Sequence, residues 1–218
     1  MACGKDDSVL PDRPADTLLA LAAPGEAAEL LAAVIHSRQT VLPKRLGEPA
    51  PDAMQLQMIL GSAAAAPDHG QLTPWRFVIV PEIARSRLAD GFAAALIERD
   101  AQATTEQADQ AREKAYRAPL LMLAVGQLEG GDPEVDASER LISAGCAIQN
   151  ILLTAHAMGF GAALTSGKAL KSPALRTLFG LEPGEQALCF VNIGTPHKKK
   201  PARARPGVDS YVSTLAGG

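Results

Sequence analysis

Three short stretches of this chain carry residue types that can hold or work on a ligand. The first is 66–76, Ala-Pro-Asp-His-Gly-Gln-Leu-Thr-Pro-Trp-Arg. Pro67 and Pro74 fix φ and remove backbone donors, while Gly70 lets the backbone come close to whatever binds. His69 and Trp75, the one tryptophan of the chain, stand six residues apart in it. Polar and aromatic groups on a rigid loop usually serve a site, although a lone loop histidine is by default only a satisfied polar group. The second stretch is Ser37-Arg38-Gln39-Thr40, at the end of a helical pattern. A guanidinium there can complement the helix dipole or grip a phosphate through its planar fork. The third is Leu164-Thr165-Ser166-Gly167, which offers backbone donors and two hydroxyls at a strand end. Open sheets commonly hold their ligands at such ends.

The elements that must position these residues follow from periodicity. Ala28, Leu31, Ala32 and Ile35 recur at helical spacing over 26–37. Three prolines break 41–51 into a loop. Asp52 then caps a helix carrying Leu56, Ile59 and Leu60. Residues 77–80 read as a buried strand, followed by a helix over 82–98. The charged, Gln-rich segment 104–117 reads as a solvated helix or a mobile lid. Residues 119–125 form a second core strand. The helix over 135–158 is apolar nearly all round, so it must be covered on nearly all sides, and Gly159 ends it as a left-handed cap. Strands over 162–164 and 186–193 flank a short helix over 173–179, and 210–215 is strand-like. The class is α+β: a mixed central sheet flanked by helices.

At 218 residues, 47% of them apolar, the chain suits one domain with arms. The expected division is a flexible N-terminal arm over 1–25, the folded domain over 26–197, and a basic C-terminal tail with an exchanged arm over 198–218. A net charge of −3 gives no reason to expect nucleic acid. Cys3, Cys146 and Cys189 form neither a disulfide framework nor a metal site, which points to a reducing, cytoplasmic setting. No basic-then-apolar leader and no run of about 20 apolar residues is present, so neither secretion nor a membrane partner is expected. There is no G-x-G-x-x-G, P-loop, H-E-x-x-H or G-x-S-x-G motif.

Three blocks in order resemble the nitroreductase family, in its small-nitroreductase branch: Ala66-Pro67-Asp68-His69 with Gln71-x-x-Pro74-Trp75, Ser143-Ala144-Gly145 with Gly159-Phe160-Gly161, and Ile193-Gly194-Thr195-Pro196. The resemblance runs over about 32–195. It implies an FMN-dependent oxidoreductase using NAD(P)H as co-substrate. Nitroaromatic, quinone-like or related electron-poor substrates would be reduced by a ping-pong hydride mechanism. It also implies a homodimer with two FMN molecules at the interface, each held by both subunits, and with the long helix in that interface.

The resemblance further implies the cofactor contacts. Arg38 matches the first arginine of an Arg-Arg-Ser motif that grips the flavin phosphate and ribityl chain. Gln39 replaces the second arginine, and Thr40 stands for the serine. Ala65 and His69 fall at flavin-contact positions, with alanine in place of a basic residue. Leu164, Thr165 and Ser166 lie against the flavin, where the branch carries Trp-Arg-Ser. Lys44, Arg45, Lys198, Lys199, Lys200, Arg203 and Arg205 are candidates for the missing cation. The flavin does the chemistry in this family, so no catalytic acid, base or metal is assigned. Two other readings stay open: a flavin-binding storage or sensor protein, and an FMN-free scaffold of the same fold.

Overall fold

The structure, a computed structural model, describes residues 24–198 and 204–217, which fall into two units, 1–38 and 39–218. The expected arm over 1–25 lies almost wholly outside the described residues. The first unit contributes α1 (Pro24–Ser37), with proline at its first position, Glu26 in its first turn and His36 in its last. Proline lacks the amide that a helix start leaves unpaired, and the Glu26 carboxylate complements the helix dipole.

Among its described residues the second unit is built on five strands, β1 (Leu46–Gly47), β2 (Trp75–Ile79), β3 (Leu120–Gln127), β4 (Gly161–Thr165) and β5 (Glu185–Pro196). β5 is the hub. It pairs antiparallel with β3, β4 and β1, and β2 pairs antiparallel with β3. The parallel component of the expected mixed sheet is confined to a bridge between Thr40 and Ala162. The described residues also form α2 (Ala53–Gly61), α3 (Arg85–Arg99), α4 (Thr105–Glu113), α5 (Ala137–Ala157) and α6 (Pro173–Leu178), in chain order.

Strand side chains alternate between faces, and β3 uses both. Met122 and Ala124 join Val191 and Ile193 of β5 under Ile59, Ala63, Ala147 and Ile151 of the α2–α5 layer. Leu121 and Leu123 join Phe190 under Leu88 of α3 and Leu175 of α6. This double burial is why β3 reads as an unbroken apolar run. Among the described residues β2 is paired on one edge, by β3, and it is half-buried, not buried as its apolar residues predict. Trp75 opens β2 and packs on the core, so it does not furnish the preceding loop.

Local signals set the helix ends. Asp52 and Gln55 exchange side-chain-to-backbone bonds of 2.8 and 3.0 Å, a capping box that starts α2. Thr104 and Gln107 do the same for α4. At the end of α5, Gly159 takes φ +88°, its amide donates to His156 O, and the Phe160 amide donates to Ala155 O. That is the pair of hydrogen bonds that closes a glycine-terminated helix. The 104–117 segment divides at Glu113, and a 3-10 turn over Lys114–Tyr116 follows.

Two expectations change. α5 is covered along one stripe by its own chain, through Ala144, Ala147, Ile148, Ile151 and Ala155, while Leu141 and Ile142 are 48% and 66% exposed. The strand-like 210–215 makes no strand. A 3-10 turn (Val208–Ser210) precedes irregular backbone, with Leu215 95% exposed. A strand needs a neighbour to pair its amides, and none of the described residues pairs with it there. Of the basic tail, 199–203 lie outside the described residues.

Candidate functional site

The loop before β2 is held by one carboxylate. Asp68 accepts from the Thr73 amide at 2.7 Å and the Leu72 amide at 3.2 Å. Gly70, Gln71 and Thr73 all take positive φ, at 72°, 52° and 46°. For the two non-glycine residues this costs roughly 1–2 kcal/mol each, and such strain clusters at working sites. The loop presents His69, whose Nδ1 lies 2.9 Å from Glu139 Oε2 on α5. The hydrogen bond and charge of Glu139 raise the His69 pKa above its ordinary value. Ala65 ends the neighbouring 3-10 turn (Ser62–Ala65) and is exposed. Asn150 of α5 pins this turn by donating to Ser62 O at 3.1 Å. Ala65 and His69 therefore belong to the α5 side of the sheet.

Thr165 and Ser166 lie on the other side. They line a cleft of about 960 Å³ between the end of β4 and the helices α3 and α4. Leu121 and Phe190 of the sheet, with Phe92 and Leu96 of α3, give it an apolar wall. Its floor holds Asn192, 2% exposed, whose Nδ2 donates to Thr165 Oγ1 at 3.0 Å and to Ala163 O at 3.2 Å. Asn192 Oδ1 accepts no hydrogen bond among the described residues and is not sealed from solvent. Because Thr165 Oγ1 accepts from Asn192, its proton is left to point elsewhere. The pair offers the cleft one acceptor and one donor side by side.

Cations surround this floor. Arg99 ends α3, Lys114 and Arg117 follow α4, and Lys168 follows β4. The stretch bearing Lys114 and Arg117 is anchored by buried Arg85, which donates to Ala115 O at 2.7 Å and Pro119 O at 2.9 Å. A second cleft of about 670 Å³ adjoins the first, sharing Pro43, Glu113, Arg117 and Thr165 and adding Lys44.

The expected site residues are thus only partly brought together. Thr165 and Ser166 share the cleft. Thr40 sits beside β4 through its bridge to Ala162, and the Val41 amide donates to Ala162 O at 2.9 Å. Leu164 shares its sheet face with Val191, away from the cleft, and is 43% exposed. Ala65 and His69 lie on the α5 side. Arg38 ends the first unit, and Gln39 opens the second. The residues missed in the sequence are Asn192, Arg99, Lys114, Arg117 and Lys168. An asparagine inside the apolar run of β5 was the one available signal, since a buried amide needs partners.

A two-faced antiparallel sheet with a ligand-sized, amphipathic cleft at a strand end defines an α+β ligand-binding fold. The chain belongs to the Nitroreductase family, which it matches over residues 35–195. It is 35% identical over 162 residues to a Haemophilus influenzae protein named "Putative NAD(P)H nitroreductase", covering 74% of this chain and 87% of that one. Among solved structures, the nitroreductase-like family protein from Bacillus cereus superposes with a TM-score of 0.74 at 20% identity, over 86% of this chain and 96% of its own. A nitroreductase with bound FMN from Desulfitobacterium hafniense superposes with a TM-score of 0.59 at 18% identity, over 85% and 97%. The α+β class read from periodicity is borne out.

Proposed function

We propose that this chain is an FMN-dependent oxidoreductase that takes electrons from NAD(P)H and passes them to electron-poor acceptors such as nitroaromatics or quinones. The observation that carries the reading is Thr165 and Ser166 on a cleft with an apolar wall, a donor–acceptor floor and a cationic rim, in a chain of the Nitroreductase family. That donor set fits FMN. Leu121 and Phe190 would hold a flat ring, Thr165 and Asn192 would meet a polar edge, and the cationic rim would offset an anionic tail. FMN supplies the hydride-accepting chemistry when bound. The chain's own residues bind, orient and shield: the wall excludes water on one side, and the floor pair sets the orientation of a polar edge. Both substrates use the open cleft in turn, which makes the kinetics ping-pong.

The reading assigns Arg38, Gln39 and Thr40 to the phosphate and ribityl chain. It also assigns Ala65 and His69 to the flavin together with Leu164, Thr165 and Ser166. The position of Thr40 beside β4 supports the first assignment. One chain holds Ala65 and His69 on the α5 side of its sheet and Thr165 on the other. A single flavin that touches both groups needs two chains, so the working unit is a homodimer. The exposed α5 stripe, with Leu141, Ile142 and Gly145, is its proposed contact. The setting is cytoplasmic: Cys146 and Cys189 are free thiols, as a reducing compartment keeps them. Among the described residues no helix is long and apolar enough to cross a membrane.

Reconstitution tests the proposal. Protein incubated with FMN and desalted should hold a yellow, oxidised-flavin spectrum. Anaerobic NADH or NADPH should bleach it, and a nitroaromatic should restore it. Initial rates at several acceptor concentrations should give parallel double-reciprocal lines. Protein that stays colourless, or a bound flavin that no pyridine nucleotide bleaches, would remove the reading.

A further inference from the structure

The cleft and the chain carry opposite charge. The whole sequence has a net charge of −3. The cleft is lined by four cations, Arg99, Lys114, Arg117 and Lys168, against one carboxylate, Glu113. None of the four cations makes a side-chain hydrogen bond or ion pair among the described residues. Several other arginines are engaged: Arg76 on Glu185, Arg112 on Asp90 and Asp109, and Arg85, Arg140 and Arg176 on backbone carbonyls. Four unengaged cations converge from three separate segments, the end of α3, the turn after α4 and the turn after β4. A cleft of one sign with low-dielectric walls focuses its field and concentrates ligands of the opposite sign.

We infer that the cleft selects aromatic acceptors that carry an anionic group, such as a carboxylate, over neutral ones of the same shape. This rests on the reductase reading for the word acceptor, and on the charge geometry alone for the selectivity. The cofactor does not use up the field. A phosphate monoester brings about −2 at most, whereas the lining has a surplus of three positive charges. Phe92 and Leu96 on the α3 side of the cleft take the acceptor ring, and the rim takes the carboxylate. Glu113 is the one lining group that opposes such a ligand.

The test uses FMN-loaded protein and two probe pairs, each an anion and a neutral compound of similar size. Benzoate and benzyl alcohol cannot be reduced and report binding by calorimetry. The 4-nitro derivatives of both report kcat/KM. Benzoate should bind about tenfold tighter than benzyl alcohol at low salt, and the ratio should fall towards one near 1 M salt, where the screening length is about 3 Å. Arg99→Gln and Lys168→Gln should each cut the ratio about threefold, and Glu113→Gln should raise it about as much. These side chains are exposed, so folding should not be at issue.

Equal affinity for benzoate and benzyl alcohol overturns the inference, as does a preference that neither salt nor Glu113→Gln moves. Inorganic phosphate serves as a third probe. Phosphate that binds where benzoate does not overturns the inference and assigns the cations to a phosphate group. Failure to turn over either nitro compound, with the benzoate preference intact, removes the reductase reading and leaves the anion selectivity standing.

Discussion

Asn192 of β5 donates to Thr165 Oγ1 of β4 at 3.0 Å, across 27 positions of sequence. The two strands run antiparallel with Ala163 opposite Asn192, which sets the amide diagonal to the threonine on the face that carries the cleft. An amide that is 2% exposed is worth burying only when its donors are used, and here Ala163 O and Thr165 Oγ1 use them.

Asn192→Leu keeps the volume and deletes the pairing. It should destabilise the fold by about 1–3 kcal/mol, because Ala163 O loses its side-chain donor. FMN affinity should fall about tenfold with the loss of one floor group. Thr165→Val should cost less stability and weaken FMN similarly. Urea denaturation and flavin fluorescence quenching measure the two effects. FMN binding at parental strength in Asn192→Leu would take the floor pair out of the site.

Arg38→Ala should weaken FMN about ten- to a hundredfold and leave the circular dichroism unchanged. A charge-assisted bond to phosphate contributes about 1.5–3 kcal/mol. Arg38→Lys should recover part of the loss, since a point charge cannot reproduce the fork. Unaltered FMN affinity in Arg38→Ala would return Arg38 to the role of a helix-end charge.

The His69–Glu139 pair sets a pH dependence of known sign. The His69 pKa is raised in the folded chain, chiefly by its hydrogen bond to Glu139. The stabilisation is fully present below the unfolded value near 6.5 and is lost as pH rises through the folded value. Both side chains are well exposed, so the effect on global stability is small. Proton NMR titration of the imidazole reads it directly. Glu139→Gln should bring the His69 pKa down to the ordinary range.

Arg76 and Glu185 act at the acid end. Two hydrogen bonds from Arg76 hold the Glu185 carboxyl below the usual carboxylate range. A lowered folded pKa stabilises above the unfolded value and is lost as pH falls through the folded one. Glu185→Gln should cost about 1 kcal/mol at neutral pH, a figure discounted for an Arg76 side chain that is 40% exposed. The difference from the parent should shrink in melts run at decreasing pH below about 4.5.

Ile142→Glu tests the proposed dimer. Ile142 is 66% exposed within its own chain, so a single chain tolerates the charge. Across a contact between two α5 helices, the carboxylate would be desolvated without a partner. Light scattering should move from dimer to monomer, and FMN retention should fall with it. A parental mass for Ile142→Glu would shift the interface elsewhere.

What the sequence determined is what depends on near neighbours in the chain. Asp52 with Gln55, Thr104 with Gln107, and Gly159 after α5 set helix ends through groups within a few residues. The unbroken apolar run of β3 marked a core strand. Tertiary structure decided which residues meet. Register between β4 and β5 placed Asn192 under Thr165, and packing of α5 put His69 beside Glu139, 70 positions away. The helical pattern of α5 gave its apolar content but not which stripe its own chain covers. The cleft cations come from segments far apart in sequence, and only the closing of α3 and α4 over the sheet set them around one space. Local bonds repeat at fixed spacing and leave a trace in residue order, whereas contacts between distant strands and helices depend on register and packing, which no spacing encodes.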